Sequence, residues 1–225
     1  FTKGLLVSAA GEVLGSAEHR TTVDTDVMDG FDVVREALDP SGEAAVLACS
    51  SAGGGLRIVV IGQEELVTAE AGRRVALSSG GAVAGVLSRP YDAAALADSI
   101  DRARPDLVLL TGGTDGGNAE HLLAAATDLA QSPWRGPVVV AGNADAADAV
   151  LAILHDFPVE VAANVLPRIG VLEPDSARAA VRTLFLRHVI GGKHLSARAE
   201  FLDMVQGATP DVVLAGLEVF ADAAA

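Results

Sequence analysis

Residues Asp106–Asn118 read DLVLLTGGTDGGN, and the fold turns on how that stretch is read. A run of branched apolar residues gives way to Gly112, Gly113, Gly116 and Gly117, and the helical pattern AEHLLAAATDLA follows at once. This is a strand, a tight loop and a helix start. Glycine lacks the Cβ that bars left-handed backbone and close approach of a ligand. A helix that starts directly after the loop aims free amides and the positive end of its dipole into it, where phosphate or carboxylate fits well. Thr111, Gly112, Gly113, Thr114, Asp115, Gly116, Gly117 and Asn118 therefore form a candidate ligand loop, with Asp115 and Asn118 offering an acceptor and an amide. The same glycines also suit a plain strand-to-helix turn with Asn118 as helix cap.

Outward from this loop, the chain from Ala44 alternates strand and helix. AAVLACS, LRIVVIG, AVAGVLS, DLVLLTG, PVVVAG and VEVAANVL read as strands, several apolar throughout as in strands buried on both faces. QEELVTAEAGRRVALSS and the segments after Asp92, Asn118 and Asn143 read as helices, the last three with an Asx-type residue at the start. Alternation of this kind predicts a Rossmann/flavodoxin-like parallel sheet with helices on both faces, and ligands at the carboxyl ends of its strands. The loops at that edge are Gly62-Gln63, Ser88 to Tyr91, Thr111 to Asn118 and Ala141 to Asn143.

Before Ala44, residues 4–23 read as a β-hairpin about Ala10-Gly11, and Asp24, Asp26 and Asp29 crowd ahead of a helix carrying Val33, Val34, Ala37 and Leu38. A calcium loop does not fit there, because Met28 and Arg35 stand where oxygen ligands belong. Capping of a helix by the acidic cluster is the expectation. Beyond the alternating region, PDSARAAVRTLFLRHVI predicts a helix that turns Ala177, Val181, Leu184, Phe185 and His188 to one side. TPDVVLAGLEVFADAAA begins another at Thr209-Pro210.

Composition narrows the function. The 225 residues are half hydrophobic and carry 30 acidic against 16 basic residues, a formal charge of −14, which argues against nucleic acid. Cys49 stands alone, so no internal disulfide or multi-thiolate metal site is available. The histidines His19, His121, His155, His188 and His194 show no metal-ligand spacing. No apolar run reaches membrane-spanning length and no leader pattern is present, so a cytoplasmic protein without membrane contact is expected. The glycine loop lacks the G-x-G-x-x-G spacing, Gly192-Lys193 lacks the rest of a P-loop, and CSSAGGG at Cys49–Gly55 fails as a nucleophile elbow. Ser50, Ser51, Gly53 and Gly54 are kept as a second candidate loop.

The ordered series FTK, TTVDTDVMDG, ACSSAGGGLRIVV, LTGGTDGGN, VVVAGN, VIGGKHLS and TPDVVLAGLEVFADA resembles the amino-terminal half of the glutamate mutase MutL family along the whole chain. The resemblance implies a reactivating, chaperone-like factor for an adenosylcobalamin-dependent mutase, related to the actin, Hsp70 and sugar kinase ATPases. It implies that Thr2 and Lys3 lie by the nucleotide phosphates, finishing a hairpin whose usual opening, Asp-x-Gly-Ser-Thr, would stand ahead of Phe1. ATP and magnesium would belong to the complete protein, and no catalytic residue is assigned within these residues. Three segments follow: a partial ATPase-type hairpin and helix at 1–43, a Rossmann-like insertion at 44–190, and a helical return at 191–225. An unpaired sheet edge would invite homo-oligomerisation. The insertion has no Asp-x-His-x-x-Gly signature, so cobalt ligation is not expected. The alternatives are a small-molecule or phosphate-binding α/β module without catalysis, and another ATPase-superfamily enzyme such as a kinase.

Overall fold

The computed structural model describes residues 1–51, 56–190 and 195–224. The chain opens with an antiparallel hairpin of β1 (Thr2–Val7) and β2 (Val13–His19), in register from Thr2 opposite His19 to Leu6 opposite Gly15. Exposure alternates along β1 because only one face of the ribbon is covered, by α1 (Val27–Leu38). Gly4 and Gly15 permit that contact: a Cβ on Gly4 would stand 2.6 Å from Val34 Cγ1, and one on Gly15 3.3 Å from Leu38 Cδ2.

Asp26 starts α1. Its carboxylate accepts from the Met28 amide at 2.8 Å and also from the Ser196 hydroxyl and Ala197 amide at 3.0 and 3.2 Å. The Val27 amide donates to Leu195 O at 3.0 Å, and Arg198 pairs with Asp29 at 3.0 Å and Asp32 at 2.6 Å. The acidic cluster before the helix is thus a cap and a tie, joining two segments about 170 residues apart. The Met28 amide first, then the Ser196 hydroxyl, hold the Asp26 carboxyl below the usual range.

After β3 (Ala48–Ser50), the main sheet begins with β4 (Leu56–Gly62), followed by α2 (Thr68–Ser78), β5 (Gly81–Ser88), α3 (Ala93–Ala103), β6 (Leu107–Leu110), α4 (Glu120–Gln131), β7 (Val138–Val140), α5 (Ala147–Ile153) and β8 (Val159–Val161). All five strands are parallel, in the order β5-β4-β6-β7-β8. The chain therefore leaves β4 toward one edge, then crosses it to reach β6. Right-handed crossovers put the helices before and after that reversal on opposite faces. One face packs Ile58, Val60, Leu107 and Leu109 against α2 and against α6 (Asp175–Leu184). The other packs Val59, Ile61, Val108 and Leu110 against α3, α4 and α5. Strands with apolar residues at successive positions are required by this double cover, which accounts for LVLL in β6, all four residues fully buried. The expected α/β class and parallel sheet are present.

Three details differ from the sequence reading. The AAVLACS stretch does not join the main sheet: β3 pairs in parallel with β9 (Val205–Ala208), which directly follows α7 (Ala199–Met204) and precedes α8 (Thr209–Ala224). The four residues VQGA between two helices carry no turn signal to announce a strand. α2 starts at Thr68 rather than near Gln63, because the Thr68 hydroxyl accepts from the amides of Gln63 and Glu64 at 2.7 and 3.1 Å and holds them in a loop. His188 is exposed while Ala177, Val181, Leu184 and Phe185 are buried. Residues Phe185–Ile190 form a π-helix, and its wider turn rotates the fourth residue off the buried stripe.

Gly62 marks where α2 comes closest to β4: a Cβ there would lie 2.5 Å from both N and Cα of Ala69. Gly62→Val is expected to lower stability by about 1–3 kcal/mol through displacement of α2, read as a lower urea midpoint. For Asp26, whose folded pKa is depressed, stabilisation is present above the unfolded pKa of about 4 and is lost as pH falls through the lower native value. Urea midpoints of wild type and Asp26→Asn measured between pH 2.5 and 6 should therefore differ most at the upper end and converge at the lower. A constant difference across that range would contradict the tie.

Candidate functional site

The glycine loop leaves β6 at the reversal of strand order, between the carboxyl ends of β4 and β6. Thr111 anchors its start, fully inside, with its hydroxyl donating to Thr68 O at 2.9 Å and its amide to Ile61 O at 2.8 Å. Gly113 has a φ of +70°, and a Cβ there would meet Asn118 O at 2.5 Å, so only glycine fits. The Gly117 amide closes a turn onto Thr114 O at 3.0 Å, and Gly116, also at a φ of +70°, lies in the open. Asn118 accepts from the Glu120 amide at 2.7 Å and so satisfies the first turn of α4, as a capping residue should.

Two buried asparagines brace this loop from neighbouring strand ends. Asn143, 1% exposed, donates to Gly117 O at 3.0 Å while its own carbonyl accepts from the Asp145 amide. Asn164, 3% exposed, donates to Gly113 O at 3.0 Å and to the Asp115 carboxylate at 2.9 Å, and accepts from the Leu166 amide. Asp115 Oδ1 also takes the Ala144 amide at 3.1 Å, while the Gly116 amide donates back to Asp145 at 3.0 Å. Loop and neighbour exchange carboxylate-to-amide bonds.

The loop's chemistry follows. The carboxylates of Asp115 and Asp145 already stand on the amides that an anion would seek, and Glu120 adds a third negative charge beside Asn118. Phosphate is a poor fit to that set. What faces solvent is Asp115-Gly116-Gly117-Asn118, a rigid exposed tip that suits contact with a polar surface. Asn164 was not singled out in the sequence. Its signal was the repeat of Val-Val-Val-Ala-Gly-Asn at 138–143 as Val-Glu-Val-Ala-Ala-Asn at 159–164, which sets an asparagine three residues past each of two adjacent strands.

At the same edge, the Ser88–Tyr91 loop is tied to α4. Arg89 pairs with Asp128 of α4 at 2.7 Å and lies 4.8 Å over the Tyr91 ring. Burial pushes the Tyr91 phenol up to about 12.

The other sequence candidates lie elsewhere. A cleft of about 720 Å³ separates the hairpin from β3 and is lined by residues 1–6, the inner side of α1, residues 44–51 and apolar groups around β9. Thr2, Lys3, Ser50 and Ser51 all line it. Lys3 sits 3.6 Å from Glu18 at an exposed position, and the Thr2 hydroxyl donates to Thr21 Oγ1 at 3.4 Å. Gly53 and Gly54 lie outside the described residues. Among the described residues, no group of three or more His, Cys, Asp or Glu is placed to hold a metal ion, and no helix is long and apolar enough to cross a membrane.

A protein-family profile described as MutL protein matches residues 1–225. The chain belongs to the MutL family. Among MutL proteins, Protein MutL of Clostridium tetanomorphum is 35% identical over 232 residues, an alignment covering 99% of this chain and 50% of that relative. The chain thus spans about half the length of the MutL relative it matches.

Asn164→Ala would leave Gly113 O and one bond of Asp115 without their donor at a buried site. A loss of about 1–3 kcal/mol is expected in urea unfolding, together with faster hydrogen exchange confined to residues 112–118 and 144–146. Unchanged exchange there would mean that the brace does not hold the loop.

Proposed function

We propose that this chain is part of an ATP-dependent reactivating factor for an adenosylcobalamin-dependent mutase of the glutamate mutase type. The observation that carries the reading is the MutL match along all of residues 1–225. Support comes from the cleft, where two stretches named by the resemblance, at Thr2-Lys3 and Ser50-Ser51, line one cavity.

The residues fit phosphate better than metal. Thr2, Ser50 and Ser51 bring hydroxyls and Lys3 an ammonium, groups that donate to phosphate oxygens. Asp39, the carboxylate lining the cleft, is occupied by the Ser41 hydroxyl and the amides of Gly42 and Ala44, and those bonds, the Ala44 amide foremost, hold its carboxyl below the usual range. Magnesium needs carboxylate and phosphate oxygens in octahedral array. Its ligands, and the clamp on the far side of the nucleotide, belong on this reading to the rest of the polypeptide. Nucleotide binding then closes one part of the protein on another, and the mutase is pried open by that closure, a coupling between two binding equilibria.

In this scheme the five-stranded region is the partner-contacting part, with the braced tip Asp115–Asn118 as its contact. A loop whose hydrogen bonds are satisfied within the chain loses little entropy on docking and carries acidic charge suited to a basic patch. The protein acts in the cytoplasm, where such a mutase works.

The test is recovery of a cobalamin-inactivated mutase by the complete protein with fresh coenzyme. Recovery is expected with ATP and not without it, and Lys3→Ala should weaken nucleotide binding about tenfold while leaving the unfolding free energy within about 0.5 kcal/mol. Equal recovery with and without ATP would remove the ATP-driven reading. Full recovery by an Asp115→Ala, Asn118→Ala double variant would remove the contact role of the tip.

A further inference from the structure

We propose that the carboxyl edge of the five-stranded sheet docks a protein partner by inserting two apolar turns, at Leu66 and Ile169, into apolar sockets on a basic surface. This deepens the contact given above to the Asp115–Asn118 tip, and it rests on that reading for naming the mutase as the partner. Leu66 and Ile169 are each 86% exposed, more than any other large apolar side chain among the described residues. Single exposed aliphatics are ordinary on a protein surface. These two differ in how they are held. Leu66 lies between β4 and α2 in a turn closed by the Val67 and Ala69 amides, which donate to Glu64 O at 3.3 and 3.0 Å. Ile169 lies between β8 and α6 in the turn Arg168–Val171, where the Val171 amide donates to Arg168 O at 3.0 Å. Gly170 there has a φ of +81°, as the third position of a type II turn requires. Each turn carries a second exposed apolar residue, Val67 at one and Leu172 at the other.

Hydrogen bonds join both turns to the glycine loop. The Thr111 hydroxyl reaches Thr68 O just behind the Leu66 turn, and the Asp115 amide donates to Pro167 O just ahead of the Ile169 turn at 3.1 Å. The edge thus presents an apolar knob, a polar tip and a second apolar knob on one braced surface. β4 and β8 stand three places apart in the sheet, which sets their ends about 14 Å apart, within the span of one interface. Aliphatic groups held out on ordered turns lose little entropy on docking. Charge names the kind of partner. Glu64, Glu65, Asp115, Asp145 and Glu173 are exposed on the loops that follow β4, β6, β7 and β8, against Arg168 as the exposed cation among the described residues there. Lysines and arginines around the sockets complement that rim, whereas an anionic lipid surface, or a second copy of a chain with a charge of −14, would be repelled by it.

The experiment follows binding kinetics of the complete protein on the immobilised mutase at low and high salt. Leu66→Ser and Ile169→Ser are each expected to raise Kd about 10-fold or more through faster dissociation, with the urea midpoint unchanged because neither side chain is packed. Glu65→Lys should instead slow association about threefold or more at low salt, an effect that fades at high salt. Val13→Ser, an exposed apolar change on the hairpin, should alter neither rate. The proposal is overturned if both apolar variants bind within about twofold of wild type, if wild type does not bind the mutase, or if it binds vesicles of anionic lipid as tightly. Unchanged affinity in the variants beside ATP-dependent recovery by wild type would sink the docking edge and leave the reactivation reading standing. Weakened affinity in the variants without ATP-dependent recovery by wild type would sink the reactivation reading alone.

Discussion

The rest of the structure depends on the burial of β4 and β6 on both faces. Strands without a polar face must satisfy their backbone groups on neighbouring strands, and the pairing of Ile58 through Ile61 with Leu107 through Leu110, with β5 on the far side of β4 and β7 on the far side of β6, meets that need. Helices must then cover both sides, and the chain can supply them only by reversing direction about β4. The reversal parts the loops at the carboxyl ends of β4 and β6. Into that gap the chain puts its glycine loop, with Thr111 reaching back to the carbonyls of Ile61 and Thr68. Site and core therefore have one cause.

A second constraint lies in how polar groups are spent. At the glycine loop, two carboxylates and two buried asparagines satisfy amides and carbonyls of neighbouring loops, so the segment is rigid without being dry. At the start of α1, Asp26 serves the helix and the Ser196-Ala197 segment together, and Arg198 adds two ion pairs. Exposed ion pairs contribute little singly, but a capped helix with a multiply bonded carboxylate fixes geometry. The TTVDTDVMDG stretch and Leu195–Arg198, far apart in the sequence, are two halves of that one contact.

Legibility followed the range of the interactions. Strands β4 and β6 could be read because double burial imposes an apolar run, and the helices after Asp92 and Asn118 because a cap is local. The pairing of β3 with β9 could not be read. It joins three residues to four across more than 150 positions, and neither segment bears a periodicity of its own. His188 was misplaced because a π-turn changes the period without changing the residue types. In the glycine loop the residue types were legible and their partners were not. Asp115 and Asn118 read as groups offered to a ligand, whereas each is held by the chain itself, Asp115 by Asn164 and the Ala144 amide, Asn118 by the amide of Glu120. A hydrogen-bond acceptor looks the same in sequence whether its donor comes from a ligand or from a strand end fifty residues away.

Buried groups around the start of α8 join the small sheets at the cleft to the large sheet. β9 leads directly into α8, whose first turn sets Asp211, 4% exposed, against Arg182 of α6 at 2.7 Å. On the other side, the turn at Gly80 passes so near that a Cβ there would lie 2.3 Å from the Asp211 amide. α6 packs in turn on the main sheet, in the same apolar cluster as Val205 and Ala208 of β9. A well-packed cluster transmits displacement because it has no slack to absorb it. A shift of β9 would have to carry the start of α8 with it, break the Asp211 pair or move α6. Asp211 is buried while Arg182 is half-exposed, so breaking the pair would leave a buried carboxylate without its partner, and the first and last of these are the cheaper responses. A displacement of β9 is thus passed to α8 and α6 through a joint that combines an ion pair, a close glycine contact and a shared apolar cluster.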